Sequence, residues 1–463
     1  MDPLHVRSLP FLSRRNYYYE FKQLVPWSIL AGLVEGQFAS VVVSKTFHGS
    51  ELQIAIASAT PLASMLSSLI WGMLCIGRPK IRLATLFTAG TALCAGLVGA
   101  IPATRSGAIW FICQMAAAQV VLAGVVTVRS AFWKSNYPRE VRGQIAARLQ
   151  GVRFVVSVVT VLAAAAICDR NPGSYRFIYP VAAVFGIAGI GMLRRIHIRG
   201  ERSELGRHQG SSPDEGVRPG YIEPYAVTAL LSPGHVLGQM YRVLHDDRRF
   251  LRYCMAQLLI GVGNLITISI IVLVVTRDLQ LGDRWGFWIS TVLIMALPRL
   301  VMLGSFRRWG ELFDRVGVVQ FRVVNVWWWI LTLALGMAAT VTVVTPGPFG
   351  ASRFLAAVGL FALRAFTQGL GYGGGALAWN LGHLHFARPE QAEVYMGIHV
   401  SLTGLRALVA PIGGMWLWQA FQAWGWPAWL VWAPALALSF GSLATFTSLA
   451  REEKRLEESA SKV

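Results

Sequence analysis

The chain is poor in charge, and its charge is lopsided. Only 14% of its 463 residues are charged, with 42 Lys and Arg against 23 Asp and Glu, whereas a soluble domain averages about 25%. Hydrophobic residues make up 54%. A chain of this kind cannot cover itself with polar surface, so a bilayer is its expected solvent. Cysteine is also scarce. Cys75, Cys94, Cys113, Cys168 and Cys254 form an odd set without Cys-x-x-Cys spacing. That argues against a metal site or a disulfide framework and for buried free thiols. The chain has no P-loop, no His-Glu-x-x-His and no Gly-x-Ser-x-Gly elbow. An ATP-driven pump and the commoner hydrolases are thereby disfavoured, and no catalytic group, metal or cofactor is expected. Asn-x-Ser/Thr is absent and most loops are short, which suits a bacterial inner-membrane protein.

The formal net charge of +19 first suggests nucleic acid. Position argues otherwise. Most Lys and Arg fall on one set of alternating loops and tails, the asymmetry that places both termini in the cytoplasm. A nucleic-acid surface would instead cluster basic residues on one folded face with interleaved aromatics. Arg7, Arg14, Arg15 and Lys22 precede an apolar run of full span length with no cleavage site, so residues 1–22 read as a cytoplasmic tail and not as a leader.

A helix needs roughly 20 apolar residues to cross the bilayer core. Twelve segments qualify approximately: 23–45, 53–76, 83–101, 107–130, 145–167, 177–193, 249–275, 286–305, 323–344, 353–378, 394–420 and 425–449. Between the sixth and seventh lies a polar stretch, 194–248, rich in Gly and Ser. It reads as a cytoplasmic linker. Its second part, about 221–245, is more apolar and offers an amphipathic surface helix interrupted at Pro233. The resulting domains are a tail (1–22), a six-helix half (23–193), the linker (194–248), a second half (249–449) and a C-terminal tail (450–463).

One phrase occurs twice. Residues 140–153 read EVRGQIAARLQGVR and residues 393–406 read EVYMGIHVSLTGLR. Glu140, Ile145, Leu149, Gly151 and Arg153 find counterparts in Glu393, Ile398, Leu402, Gly404 and Arg406. Gly32-x-x-Glu35 in span 1 matches Gly261-x-x-Asn264 in span 7. Pro61 before Trp71-Gly72 matches Pro298 before Trp309-Gly310. Two halves that repeat in this order suggest an all-helical transporter of two pseudo-symmetric six-helix bundles.

After span 8 the chain reads Trp309-Gly310-Glu-Leu312-Phe-Asp314-Arg315-Val-Gly317. Gly310, Leu312, Asp314, Arg315 and Gly317 resemble, position by position, the loop signature G-x-L-x-D-R-x-G of the major facilitator superfamily. The loop after span 2 keeps Gly72, Leu74 and Lys80 but has Ile76 at the acid's position. In that family the acid of this first loop latches onto a neighbouring helix. The latch is therefore absent or moved to Asp314. Asp314 and Arg315 read either as a gate or as an ordinary solvated loop. The resemblance implies twelve spans, alternating access around a midplane site, and an ion gradient as the driving force. It does not specify a substrate.

A charge in the bilayer core costs roughly 2.5–3.5 kcal/mol even on a lenient scale. By the spans above Glu35 is the only deep acid, and Arg129, Arg148, Arg153, Arg299, Arg364 and Arg406 lie within spans. Arg129 and Arg148 are expected to snorkel toward headgroups. Arg153, Arg364 and Arg406 lie deeper. Arg153 and Arg406 either flank a central cavity or tie their own bundles together. Glu35, with Gln37 nearby and Asn264 opposite, is the candidate proton site, or else a structural partner of a deep Arg. Several deep Arg against one deep acid point to an anionic or strongly hydrogen-bonding substrate, with Gln368 among the available polar partners. His399 can titrate as well. Trp27, Trp285, Trp424 and Trp426 are expected to be interfacial anchors. The reading is a secondary active, proton-coupled carrier of a small molecule, working as a monomer without nucleic acid. A non-transporting sensor and a lipid-acting membrane enzyme are the alternatives.

Overall fold

The computed structural model describes residues 10–75, 78–201, 233–282, 285–387 and 392–460. Ile76, Gly77 and most of the linker lie outside them, as do the ends of both expected tails. Among the described residues every regular element is helical. Among the described residues eleven helices are long and apolar enough to cross a membrane, or twelve if a bent pair counts as one span. That pair is α1 (Phe11–Val34) and α2 (Phe38–Lys45), bent by 45°. The first helix thus starts at Phe11, within the stretch read as a tail, and is broken after Val34.

The helices follow in chain order. They are α3 (Glu51–Ala63) and α4 (Ser68–Cys75), then α5 (Lys80–Leu97), α6 (Gly107–Asn136), α7 (Arg139–Arg170), α8 (Tyr175–Ala188) and α9 (Ile190–Leu193). After the linker come α10 (Pro233–Asp246), α11 (Arg248–Ile266), α12 (Ile268–Leu273), α13 (Gly286–Thr291) and α14 (Leu297–Val316). The chain ends with α15 (Val318–Val344), α16 (Ala351–Leu381), α17 (Ala392–Ala423) and α18 (Trp432–Ala460).

Local chemistry sets the helix ends. Asp247 caps α11 by accepting the Phe250 amide at 2.8 Å, which satisfies one otherwise orphaned donor. Pro138 precedes α7 and Pro79 precedes α5, where a missing N–H costs nothing. Gly317 closes α14 at φ 73°, a left-handed backbone that favours glycine. Pro233 opens α10 and does not interrupt it. Met240, Val243 and Leu244 of α10 pack against the protein's own core, so that apolar face is already covered.

The chain divides into two compact units. The first takes the described residues of Met1–Ala39 and Ser64–Pro233, the second those of Ser40–Ala63 and Gly234–Val463. Residues 40–63, which the sequence assigns to the first half, fall in the second unit. There α3 packs on α17 and α12. The Ser44 and Thr276 hydroxyls are 2.6 Å apart, and Arg277 donates to the Gly49 carbonyl.

In the first unit α1 packs on α7 and α8, and α5 on α6 and α8. Phe111 meets Tyr175 and Tyr179 edge-on. The segment after α9 is stitched down. The Asn16 amide donates to the His197 carbonyl at 2.7 Å. Asn136 Oδ1 accepts the Arg199 amide at 3.0 Å, and Glu201 accepts the Lys80 amide at 2.7 Å. The linker is therefore fixed at its start. In the second unit α16 lies against α14 and α15. Its glycines make this possible: a Cβ on Gly369 would come within 2.6 Å of the Pro298 carbonyl, and one on Gly371 within 2.9 Å of Trp329. Large apolar side chains such as Phe177, Trp110 and Leu86 are exposed, while Asn16, Ser40, Asn325 and Ser442 are buried. Such inversion is what a protein solvated by lipid requires.

Candidate functional site

The break in the first span is built by three residues. Glu35 is extended at the end of α1, Gly36 takes φ 88°, and Gln37 leads into α2. The helix is therefore interrupted at Glu35. Breaking a span frees backbone groups that need partners. Gln119 of α6 supplies one by donating to the Val34 carbonyl at 3.0 Å. Arg153 of α7 donates to the Glu35 carboxylate and also reaches Gln150 Oε1 at 3.1 Å. The side chains of Glu35 and Arg153 keep 23% and 14% of their surface exposed, so the pair is partly buried yet reachable. Gln37 is buried two residues on.

A second buried carboxylate lies in the same unit. Glu20 is 2% exposed and accepts hydrogen bonds from the Trp133 indole and, at 2.6 Å, from the Tyr137 hydroxyl. Arg129 is buried nearby and reaches Gln23 Oε1 at 3.3 Å. One expectation is corrected here: Arg129 is buried among protein side chains and does not snorkel. The physical reason is that α1 starts at Phe11, which carries Glu20 into helix packing against α6. Trp27 is likewise no interfacial anchor, being 1% exposed inside the first unit. Trp285, Trp424 and Trp426 are exposed. Arg148 is half-buried.

In the second unit Arg406 donates to the Gln257 carbonyl and, at 3.3 Å, to the Thr403 hydroxyl. It fills the space in front of Gly261, where any Cβ would strike its guanidinium. Asn264, one turn further along α11, leaves Oδ1 buried without a partner. Arg364 donates to Gln368 at 3.1 Å, and Gln368 donates to the Tyr372 hydroxyl at 3.1 Å. These side chains, spaced four residues apart, run along one face of α16. Arg322 is a further buried cation, placed outside the ninth span by the sequence boundary at 323. It donates to Asn325 Oδ1 at 2.9 Å and to Gln257 Oε1, and its guanidinium lies 5.3 Å over the Phe446 ring. The run Arg322-x-x-Asn325 at the edge of an apolar segment was the available signal. No carboxylate among the described residues pairs with Arg322, Arg364 or Arg406.

The loop motif divides by role. Asp314 and Arg315 are exposed at the end of α14, and neither has an ion-pair partner among the described residues. Gly317 is required by its backbone. Gly310 faces open space and Gly72 meets only Thr127 at 3.9 Å, so neither serves close helix approach. Ile76 lies outside the described residues, as do the side chains of Glu140 and Glu393. Among the described residues no three His, Cys, Asp or Glu gather as a metal site.

This is the build of a multi-span helical membrane transporter with buried ionic side chains in each unit. The chain belongs to the Major Facilitator Superfamily, which it matches over residues 27–411. It is a transporter and not an enzyme. No curated protein sequence matches it. Among solved structures it is similar to a point mutant of the nucleoside transporter NupG, with a TM-score of 0.62 at 12% identity, covering 95% of this chain and 99% of that one. It is also similar to the xylose transporter XylE from E. coli in a partially occluded inward-open conformation, with a TM-score of 0.60 at 10% identity, covering 94% and 97%. At these identities the likeness is one of fold.

Proposed function

We propose that the chain is a secondary active transporter that moves a small polar or anionic solute by alternating access, coupled to protons through Glu35. The observation that carries this reading is the Glu35–Arg153 pair at the break of the first span. A carboxylate that is partly exposed and held by a guanidinium has two stable arrangements. Ionised, it keeps Arg153. Protonated, it releases Arg153 and weakens the contact between α1 and α7. A proton can thereby bias a conformational equilibrium, which is what coupling requires. The excess of buried guanidinium over carboxylate supports a substrate that brings oxygen acceptors. The nucleoside and xylose in the names of the two structural neighbours are polar solutes, in keeping with this class. Arg153, Arg364, Gln368, Asn264 and Arg406 are the proposed solute contacts, with Gln37 beside the proton site. Asp314 and Arg315 are the proposed gate. The chain works as a monomer in a bacterial inner membrane with both termini cytoplasmic.

The test uses purified protein in proteoliposomes containing a pH-sensitive dye. A proton gradient is imposed and pooled metabolites are screened, anions first. Solute-dependent proton flux that disappears in Glu35→Gln supports the reading. Flux that survives the substitution removes Glu35 as the proton site. Saturable solute binding without any flux argues against coupled transport.

A further inference from the structure

Arg153 and Arg406 occupy the same position of the internal repeat, yet their partners differ in kind. Arg153 holds the Glu35 carboxylate. The repeat counterpart of Glu35 is Asn264, and no carboxylate among the described residues pairs with Arg406. One half carries its anion within the chain. In the other half the guanidinium has no carboxylate partner among the described residues.

The donors of Arg406 are only partly used. Its Nη1 is committed to the Gln257 carbonyl. Its Nε is buried without a partner, and Nη2 has only the Thr403 hydroxyl at 3.3 Å. The Nε–Nη2 edge is one of the two edges with which a guanidinium takes a carboxylate through paired N–H bonds. That edge is nearly unspent. Thr403 is meanwhile fully used. Its hydroxyl donates to the His399 carbonyl at 2.9 Å, and it also accepts the Trp379 indole N–H at 3.4 Å. The two lone pairs of its oxygen thus each take one long hydrogen bond. Nε2 of His399 is buried and unpartnered, and its ring lies 5.7 Å from that of Trp379. Buried polar atoms left without a partner, as Arg406 Nε and His399 Nε2 are, are costly, and an oxyanion at the Arg406 edge would give its Nε an acceptor.

We infer that Arg406, Thr403, His399 and Trp379 form a binding subsite for an organic carboxylate, which fills at Arg406 the place that Glu35 fills at Arg153. The inference rests on the reading of the chain as a carrier of a small polar solute and names the class of that solute. Carboxylate is favoured over phosphate because the internal counterpart is itself a carboxylate. Arg406 is the fork, and Trp379 and His399 give the flat wall beside it.

The experiment is calorimetric titration of the purified full-length protein with benzoate and succinate, using their amides and phenyl phosphate as comparison probes. Thermal unfolding of each variant is read alongside. Benzoate or succinate is expected to bind the wild type and the amides are not. Arg406→Gln should weaken binding at least tenfold. Asn264→Asp should do the same while retaining the wild-type unfolding temperature, because its new carboxylate occupies the fork. The inference is overturned if the amides bind as well as the acids. It is overturned equally if Asn264→Asp keeps wild-type affinity, if phenyl phosphate binds more tightly than benzoate, or if neither acid binds. Glu35-dependent proton flux, measured in the same preparations, separates the two claims. Flux without carboxylate binding sinks the subsite and spares the carrier, and binding without flux does the reverse.

Discussion

Tyr137 gives its hydroxyl to the Glu20 carboxylate at 2.6 Å, joining the residue that ends α6 to α1. Trp133, one helical turn earlier, donates to the same carboxylate. Replacing Tyr137 by Phe leaves a buried carboxylate one donor short. The expected cost is about 1–3 kcal/mol, read as a lower unfolding temperature in detergent, with Trp133→Phe acting in the same direction.

The same contact has a pH signature. Burial pushes the Tyr137 phenol up from its usual value, and the Glu20 charge and hydrogen bond push it further. A folded-state pKa above the unfolded value means that the stabilisation is fully present below about pH 10 and is lost as pH rises through the folded value. Difference absorbance at about 295 nm, where phenolate absorbs and phenol does not, should show no ionisation of Tyr137 near pH 10 when wild type is compared with Tyr137→Phe. Ordinary titration there would remove the buried contact.

The Glu35–Arg153 pair should behave as a unit. Arg153→Met alone takes the guanidinium from a carboxylate that keeps part of its surface exposed, at a cost of about 1–3 kcal/mol. Removing both charges in Glu35→Gln with Arg153→Met should recover much of that loss. A double-mutant cycle on unfolding temperature checks this, and additive losses would mean that the pair does not interact.

Two glycines of the loop motif should differ. Gly317 sits at φ 73°, so Gly317→Ala should destabilise by about 1 kcal/mol or more. Gly310 faces open space within a helix, and Gly310→Ala should be neutral or slightly stabilising. Parallel thermal unfolding of the two variants decides it.

A further pair lies in α17. A Cβ on Gly414 would collide with the Ile266 carbonyl, whereas one on Gly413 meets nothing within 4 Å. Gly414→Ala should therefore sharply reduce the yield of folded protein, and Gly413→Ala should express as the wild type does. Equal yields would show that α11 and α17 can separate without penalty.

The number and order of the spans and the paired halves follow from hydropathy and the duplicated phrase, because lipid demands about 20 apolar residues per crossing wherever the chain later packs. Glu35 also stood out in the sequence, being an acid within an apolar run. Its pairing with Arg153 did not, since 118 residues separate them and either alternative for that Arg suited the pattern. Trp27 and Arg129 are buried against expectation because hydropathy puts the edge of the first span near residue 23, while the helix starts at Phe11 and packs against α6. Arg322 was missed at a boundary for the same reason. The grouping of residues 40–63 with the second unit is invisible to any local pattern. Which segments lie in the bilayer can be read from the chain alone, because solvation by lipid is a property of each segment in isolation. Which buried charges have partners took the folded arrangement, because a partner is a matter of distance between segments far apart in the chain.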